Sequence, residues 1–209
     1  MVGPLDRGIY LASRSPRRRE LLAQIAVRYH LLLFRTRPDA PPEVDEAQLP
    51  GEAPDAYVER VARAKAAAGH KLLRLRNLPL APVLSADTTV ALDGKILGKP
   101  AGRKQAAEML AMLSGQRHEV LSAVALTRDD EIESALSRSE VQFKRLTPEE
   151  IAQYVATGES DDKAGAYAIQ GRAARFIVEL HGSYSGVMGL PLYETSQLLE
   201  KLRERRNPY

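Results

Sequence analysis

The chain has 209 residues, 44% of them hydrophobic and 27% charged, a balance that supports one buried core and excludes collagen-like, disordered and low-complexity readings. It contains no cysteine, which removes disulfide frameworks, thiolate metal sites and thiol nucleophiles and points to a cytoplasmic address. The formal charge of +3 is carried by the basic tail, where Lys201, Arg203, Arg205 and Arg206 outweigh Glu204, so the body is neutral and lacks the clustered basic face a nucleic-acid duplex requires.

No apolar run is long enough to span a bilayer, and Arg14 and Pro16 interrupt the opening segment before a secretory core forms, so neither membrane insertion nor secretion is expected. Ile9 to Ala12 reads as a strand, and Ser15-Pro16 opens a helix with Leu21, Leu22 and Ile25 on one face. Tyr29 to Phe34 reads as a second strand. The Pro-rich stretch from Pro38 to Pro54 is an acidic, mobile loop carrying Asp39, Glu43, Asp45 and Glu46. Asp55 to Arg76 is helical, with Val58, Val61, Ala62 and Lys65 on a shared face.

Val83 to Leu92 is a strand turned back through Asp93-Gly94, a dipeptide that tolerates positive φ, into Lys95-Ile96-Leu97. A helix from Lys104 ends at Gly115. His118 to Thr127, apolar on both faces, reads as a central strand paired through Asp129-Asp130 with a more polar strand from Glu131 to Lys144. Thr147-Pro148-Glu149-Glu150 carries the signals of a helix start, and Gly158 ends that helix. Ala164 to Tyr193 is glycine-rich with short strands, and a last amphipathic helix with Leu198, Leu199 and Leu202 runs into a frayed tail over 203–209. The expected unit is one catalytic domain over 1–209.

Three positions break local rules. Arg17, Arg18 and Arg19 occupy a helical first turn, where each cation opposes the macrodipole by about 0.3–1 kcal/mol. A polyanion held by that turn, by Ser13 and Ser15 and by the guanidinium groups would compensate; a solvated basic turn is the plain alternative. Asp87 stands within the apolar run Leu84 to Val90, where a carboxylate needs a partner: it binds a metal, accepts a proton, or caps a neighbouring element. Lys65 follows a core face, so its ammonium either reaches solvent or meets an anion, and Lys99 after the hairpin returns a cation to the same side. Gln170, between Ile169 and Gly171, offers an amide donor and acceptor side by side, which suits the edge of uracil, thymine or guanine, or satisfies buried backbone. Asp161-Asp162-Lys163 forms a compact polar loop. P-loop, dinucleotide-fold and nucleophile-elbow motifs are missing, and His30, His70, His118 and His181 lack metal-ligand spacing.

Taken together, Leu11-Ala12-Ser13-Arg14-Ser15-Pro16-Arg17-Arg18, Ala86-Asp87-Thr88, Leu97-Gly98-Lys99-Pro100, Leu113-Ser114-Gly115, Asp162-Lys163-Ala164-Gly165-Ala166-Tyr167, Ile169-Gln170-Gly171 and Gly189-Leu190-Pro191 closely resemble the Maf family of nucleoside triphosphate pyrophosphatases. The Ala-Tyr-Ala-Ile-Gln-Gly segment resembles the dTTP/UTP pyrophosphatase branch. The resemblance implies an α/β fold, a mixed sheet flanked by helices in two lobes around a cleft, similar to inosine triphosphate pyrophosphatases, and a homodimer. It also implies hydrolysis of a nucleoside triphosphate to monophosphate and pyrophosphate with a divalent cation, Mg²⁺ or Mn²⁺. Carried over by position, Asp87 matches the proton acceptor, Arg17, Thr88 and Gln170 the specificity positions, and Ser13, Arg18, Glu46, Lys65 and Lys99 the pocket lining. Asp87 and Glu46 are the expected metal ligands. Ser85 departs from the family's commoner glycine. Two rival readings are a pyrophosphatase for 7-methyl-GTP or another modified purine, and a septum-formation regulator or nucleic-acid-binding module that uses the basic turn and tail.

Overall fold

The computed structural model describes residues 8–34, 44–128 and 131–204. Its elements run β1 (Ile9–Leu11), α1 (Pro16–Gln24), β2 (Tyr29–Leu31), α2 (Pro54–Leu75), β3 (Val83–Leu92), β4 (Lys95–Leu97), α3 (Arg103–Leu113), β5 (Arg117–Arg128), β6 (Glu131–Phe143), α4 (Pro148–Ala156), β7 (Ile177–His181), α5 (Tyr184–Met188) and α6 (Leu192–Glu204). The strands form one mixed sheet in the order β2-β1-β3-β5-β6-β7, with β4 paired to β3 off that path. β1 is parallel to β2 and β3; the other pairings are antiparallel.

Local chemistry accounts for most boundaries. The β3–β4 turn has φ of 50° at Asp93 and 75° at Gly94, the paired positive values of a tight hairpin. At α4, Thr147 accepts from the Glu150 amide while the Glu150 side chain accepts from the Thr147 amide, closing the capping box. β2 stops at Leu31, short of the expected Phe34. The glycine-rich stretch is not mainly strand: it holds 3₁₀ turns at Ala164–Ala166 and Arg172–Phe176, the single strand β7 and the short α5. Glycines there supply turns, a use that hydropathy alone does not separate from strand ends. α6 continues to Glu204, so Arg203 and Glu204 are helical and not frayed as expected; the rest of the expected tail, 205–209, lies outside the described residues. Asp39, Glu43, Asp129 and Asp130 also lie outside them.

Alternation along β3 sorts its side chains between two faces. Ser85 and Ala91 face α2, where the Ser85 hydroxyl donates to Ala62 O at 2.6 Å and Ala91 packs on Val58, Ala62 and Ala66. Val58, Val61, Ala62, Ala66 and Leu73 of α2 are fully buried, each larger side chain contributing about 1.5–3 kcal/mol. The helix approaches closely at Gly69, where an added Cβ would stand 2.7 Å from Val83 Cγ1.

The opposite face carries two separate apolar clusters. Leu84, Ala86, Val124 and Leu126 pack with Leu21 and Leu22 of α1 and Leu198 and Leu199 of α6. Val90, Val120 and Val141 pack with Leu110 and Leu113 of α3 and Tyr154 of α4. Between them runs a polar row, Thr88, Ser122 and Ser137, aligned across β3, β5 and β6 by strand register. Thr88 Oγ1 and Ser122 Oγ are 2.8 Å apart, and Ser122 donates to Gly186 O at 2.7 Å. This row separates the two apolar clusters.

Candidate functional site

The sheet opens where β3 changes partner. β1 pairs with Val83 and Leu84, and the Ala12 amide donates to Leu84 O at 2.8 Å; β4 pairs from Val90 onward. Among the described residues, no strand pairs with Ser85 to Thr89 on that side. Asp87 stands in the middle of the gap, buried at 8% exposure. The loop after β1 borders one end, and the Leu97–Val90 register carries Gly98 and Lys99 toward the other.

Side chains from three directions enter this opening. From α2, Lys65 Nζ donates to Asp87 Oδ1 at 2.8 Å and lies 3.0 Å from Glu46 Oε1, so the ammonium meets anions instead of reaching solvent. From α1, Arg18 Nε donates to Gly189 O at 2.7 Å and one terminal nitrogen to Ser13 Oγ at 3.3 Å. Burial lowers the proton affinity of Arg18, and the facing carboxylates of Asp87 and Glu46 oppose that shift. An arginine retains its charge under such a shift. Arg17, one residue earlier and so on another helical face, places its Nε and a terminal nitrogen against the Gln170 side-chain amide, where the carbonyl oxygen accepts, 2.8 Å from the terminal nitrogen.

The described part of the loop bearing Glu46 is fastened to α2. Arg60 grips Glu52 through two nitrogens at 2.6 and 2.8 Å and donates to Ala47 O at 2.8 Å, while the Tyr57 hydroxyl donates to Glu46 O at 3.0 Å. Burial together with Asp87 and Glu46 pushes the Tyr57 phenol up to about 12. This anchorage was hidden in the sequence because a proline-rich loop shows no periodicity, and Arg60 on a helix reads as a solvated cation.

The first turn of α1 remains open to a ligand. Ser15 occupies the N-cap without a side-chain cap bond, its amide donates to Ser13 Oγ at 3.2 Å, and no acid lies in the turn. Asp87 and Glu46 each place a carboxylate oxygen on Lys65 Nζ, and such oxygens are the hard donors that Mg²⁺ and Mn²⁺ take. No group of three or more His, Asp or Glu converges among the described residues, so a cation here would draw its other ligands from water and substrate oxygens.

A family model described as Maf-like protein matches residues 8–202. The chain belongs to the Maf family. Among relatives of this Maf chain, proteins named dTTP/UTP pyrophosphatase from Nitrosomonas europaea and Dechloromonas aromatica are 55% identical over 201 residues and 56% over 194. These alignments cover 96% and 93% of this chain and 97% and 96% of the relatives. A protein of that name from Burkholderia pseudomallei is 57% identical over 193 residues, covering 91% of each. The Ham1 protein of Staphylococcus aureus shares the fold at a TM-score of 0.50 and 16% identity, with 95% of this chain and 99% of that one aligned.

The Maf chain therefore joins Glu46, Lys65 and Asp87 in one set of contacts and Ser13 with Arg18 in another. Arg17 joins Gln170, and Thr88 faces the hydroxyl row. Lys99 borders the opening from the β4 side. Gly189, Ser122 and Lys163 belong to the same region without having been singled out as site residues; Gly189 and Lys163 stood within the motifs, while Ser122 is one of several small polar residues in a strand. Among the described residues no helix is long and apolar enough to cross a membrane.

Proposed function

We propose that the chain hydrolyses dTTP and UTP to the nucleoside monophosphate and inorganic pyrophosphate. The observation that carries this reading is the position of Asp87: a buried carboxylate at a break in the sheet, held by a lysine. Phosphoanhydride hydrolysis needs a restrained polyanion, compensated charge and an aligned water, which is what these groups can provide.

In this reading the phosphates enter against the α1 amides, Ser13, Arg17, Arg18, Lys65 and Lys99. Asp87 accepts a proton from water as its oxygen attacks the α-phosphorus; the bond from that phosphorus to the bridging oxygen breaks, and pyrophosphate departs. Gln170, with Arg17 behind it, and Thr88 select the base. Asp87 and Glu46 would hold a Mg²⁺ or Mn²⁺ ion, which would supply charge neutralisation to the phosphate oxygens; for Asp87 this role is the alternative to accepting the proton. The chain acts as one two-lobed catalytic domain, in the cytoplasm and as a homodimer, removing modified pyrimidine nucleotides.

The test is pyrophosphate release from a panel of common and modified triphosphates, 7-methyl-GTP included, with Mg²⁺, Mn²⁺ or chelator. Turnover of dTTP and UTP that stops on chelation is expected. A preference for 7-methyl-GTP, or affinity for duplexes without hydrolysis, would replace this reading with one of its rivals.

A further inference from the structure

The cations of the cleft divide into two groups. Lys65 bridges Asp87 and Glu46, and Arg18 is held by neutral acceptors, Gly189 O and Ser13 Oγ. Arg17, Lys99 and Lys163 lie on the other wall and, among the described residues, make no salt bridge.

Lys163 is fixed there by the backbone. The Gly165 amide donates to Gly98 O at 3.1 Å, tying the 3₁₀ turn to the loop that bears Lys99, and the Ala166 amide donates to Lys163 O at 3.0 Å. Gly165 has φ +65°, and a Cβ on it would meet Val90 Cγ2 at 2.9 Å, so both the turn and its seat on β3 require glycine. Five residues beyond Gly165, Gln170 touches Arg17. The half-buried Lys163 ammonium donates to the neutral backbone oxygen of Asp161 at 3.1 Å. Its proton affinity is lowered by burial first, then by Arg17 and Lys99, while Asp161 and Asp162 act in the opposite sense. Like charges are gathered here with Asp161 and Asp162 nearby but with no salt bridge among the described residues, at a cost that a bound polyanion would reduce.

We propose that Lys163 is a further phosphate-binding residue, which with Arg17 and Lys99 holds the two phosphates that leave as pyrophosphate. The proposal rests on the reading of the cleft as a pyrophosphatase site and names the wall on which the leaving group is held. Pyrophosphate carries more charge than a nucleoside monophosphate, so removing one cation from this wall weakens the first ligand selectively.

The test is calorimetric titration of inorganic pyrophosphate, and separately of dTMP, into wild type, Lys163→Met and Lys163→Arg. Lys163→Met is expected to weaken pyrophosphate about tenfold and dTMP less than about twofold, with Lys163→Arg restoring most of the difference. Unchanged pyrophosphate affinity, or equal weakening of both ligands, overturns the assignment. If Lys163→Met melts well below wild type, Lys163→Gln is read by the same criteria. Wild type that binds pyrophosphate through Lys163 yet releases none from dTTP would sink the enzymatic reading, overturn the leaving-group role and leave only a polyphosphate-binding role for Lys163.

Discussion

Lys65 Nζ lies 2.8 Å from Asp87 Oδ1 in a pair with only 14% and 12% of the side chains exposed. The same nitrogen holds Glu46 at 3.0 Å, so a single cation keeps two carboxylates together. Lys65→Met should therefore leave like charges facing each other and destabilise the fold by about 1–3 kcal/mol. Mg²⁺ should then raise the melting temperature of the variant more than that of wild type, with EDTA reversing the gain. Equal Mg²⁺ effects on both proteins would show that the carboxylates do not share a cation site.

Asp87→Asn removes the charge and the proton-accepting capacity but keeps an oxygen for Lys65. Pyrophosphate release from dTTP should fall by about 10²–10⁴-fold while thermal unfolding stays cooperative. A folded variant with wild-type turnover would refute the role assigned to Asp87.

Arg60 acts at a distance from the opening through its grip on Glu52 and Ala47. Arg60 and Glu52 form a two-pronged, partly buried pair with 31% and 8% of the side chains exposed. The residues it holds, 45–51, lie mostly at the surface, so Arg60→Met should lower the melting temperature only modestly. The Mg²⁺ concentration for half-maximal activity should nevertheless rise several-fold, because the loop no longer presents Glu46. An unchanged metal requirement would argue that Glu46 takes no part.

His118 is buried beside Tyr167, its Nε2 2.9 Å from the phenol oxygen and its ring edge-on to Phe143 and Tyr167. Burial pulls its pKa from the ordinary 6.5 down to about 4. The unfolded chain takes up a proton as pH falls through 6.5 and the folded one does not until about 4, so stability is complete above 6.5 and is lost below it. The loss should reach about 2 kcal/mol by pH 5, read from urea unfolding. His118→Gln should flatten that dependence; a wild-type slope in the variant would place the titrating group elsewhere.

Gly165→Ala combines a left-handed φ with a collision at Val90 and should cost about 1–3 kcal/mol. Adding Val90→Ala removes the collision but not the backbone strain. The double variant should therefore fall short of additivity in urea unfolding. Strict additivity would mean that the two sites do not press on each other.

The elements that periodicity describes were legible: α2, β3, α3 and α6 bury the apolar positions their spacing marked, and Thr147 and Asp93-Gly94 act as their chemistry indicates. The stretch from Ala164 to Tyr193 was not, because glycines forming turns and glycines bounding strands leave the same trace. Asp87, Lys65 and the arginines could be picked out as rule-breaking residues in an apolar run, on a core face and at a helix start. Their meeting place depends on β3 exchanging β1 for β4 halfway along, which no local pattern encodes. For the same reason the hold of Arg60 on the Glu46 loop emerged only from the tertiary arrangement.

The file of hydroxyls formed by Thr88, Ser122 and Ser137 has a mechanical corollary. Interlocked hydrocarbon resists displacement, since any shift opens a void, whereas alcohol groups can trade one acceptor for another. The sheet should therefore yield most readily along a crease immediately behind Asp87. Under the proposed function, adjustment to nucleotides of different girth would fall along that line, with both oily packings left intact.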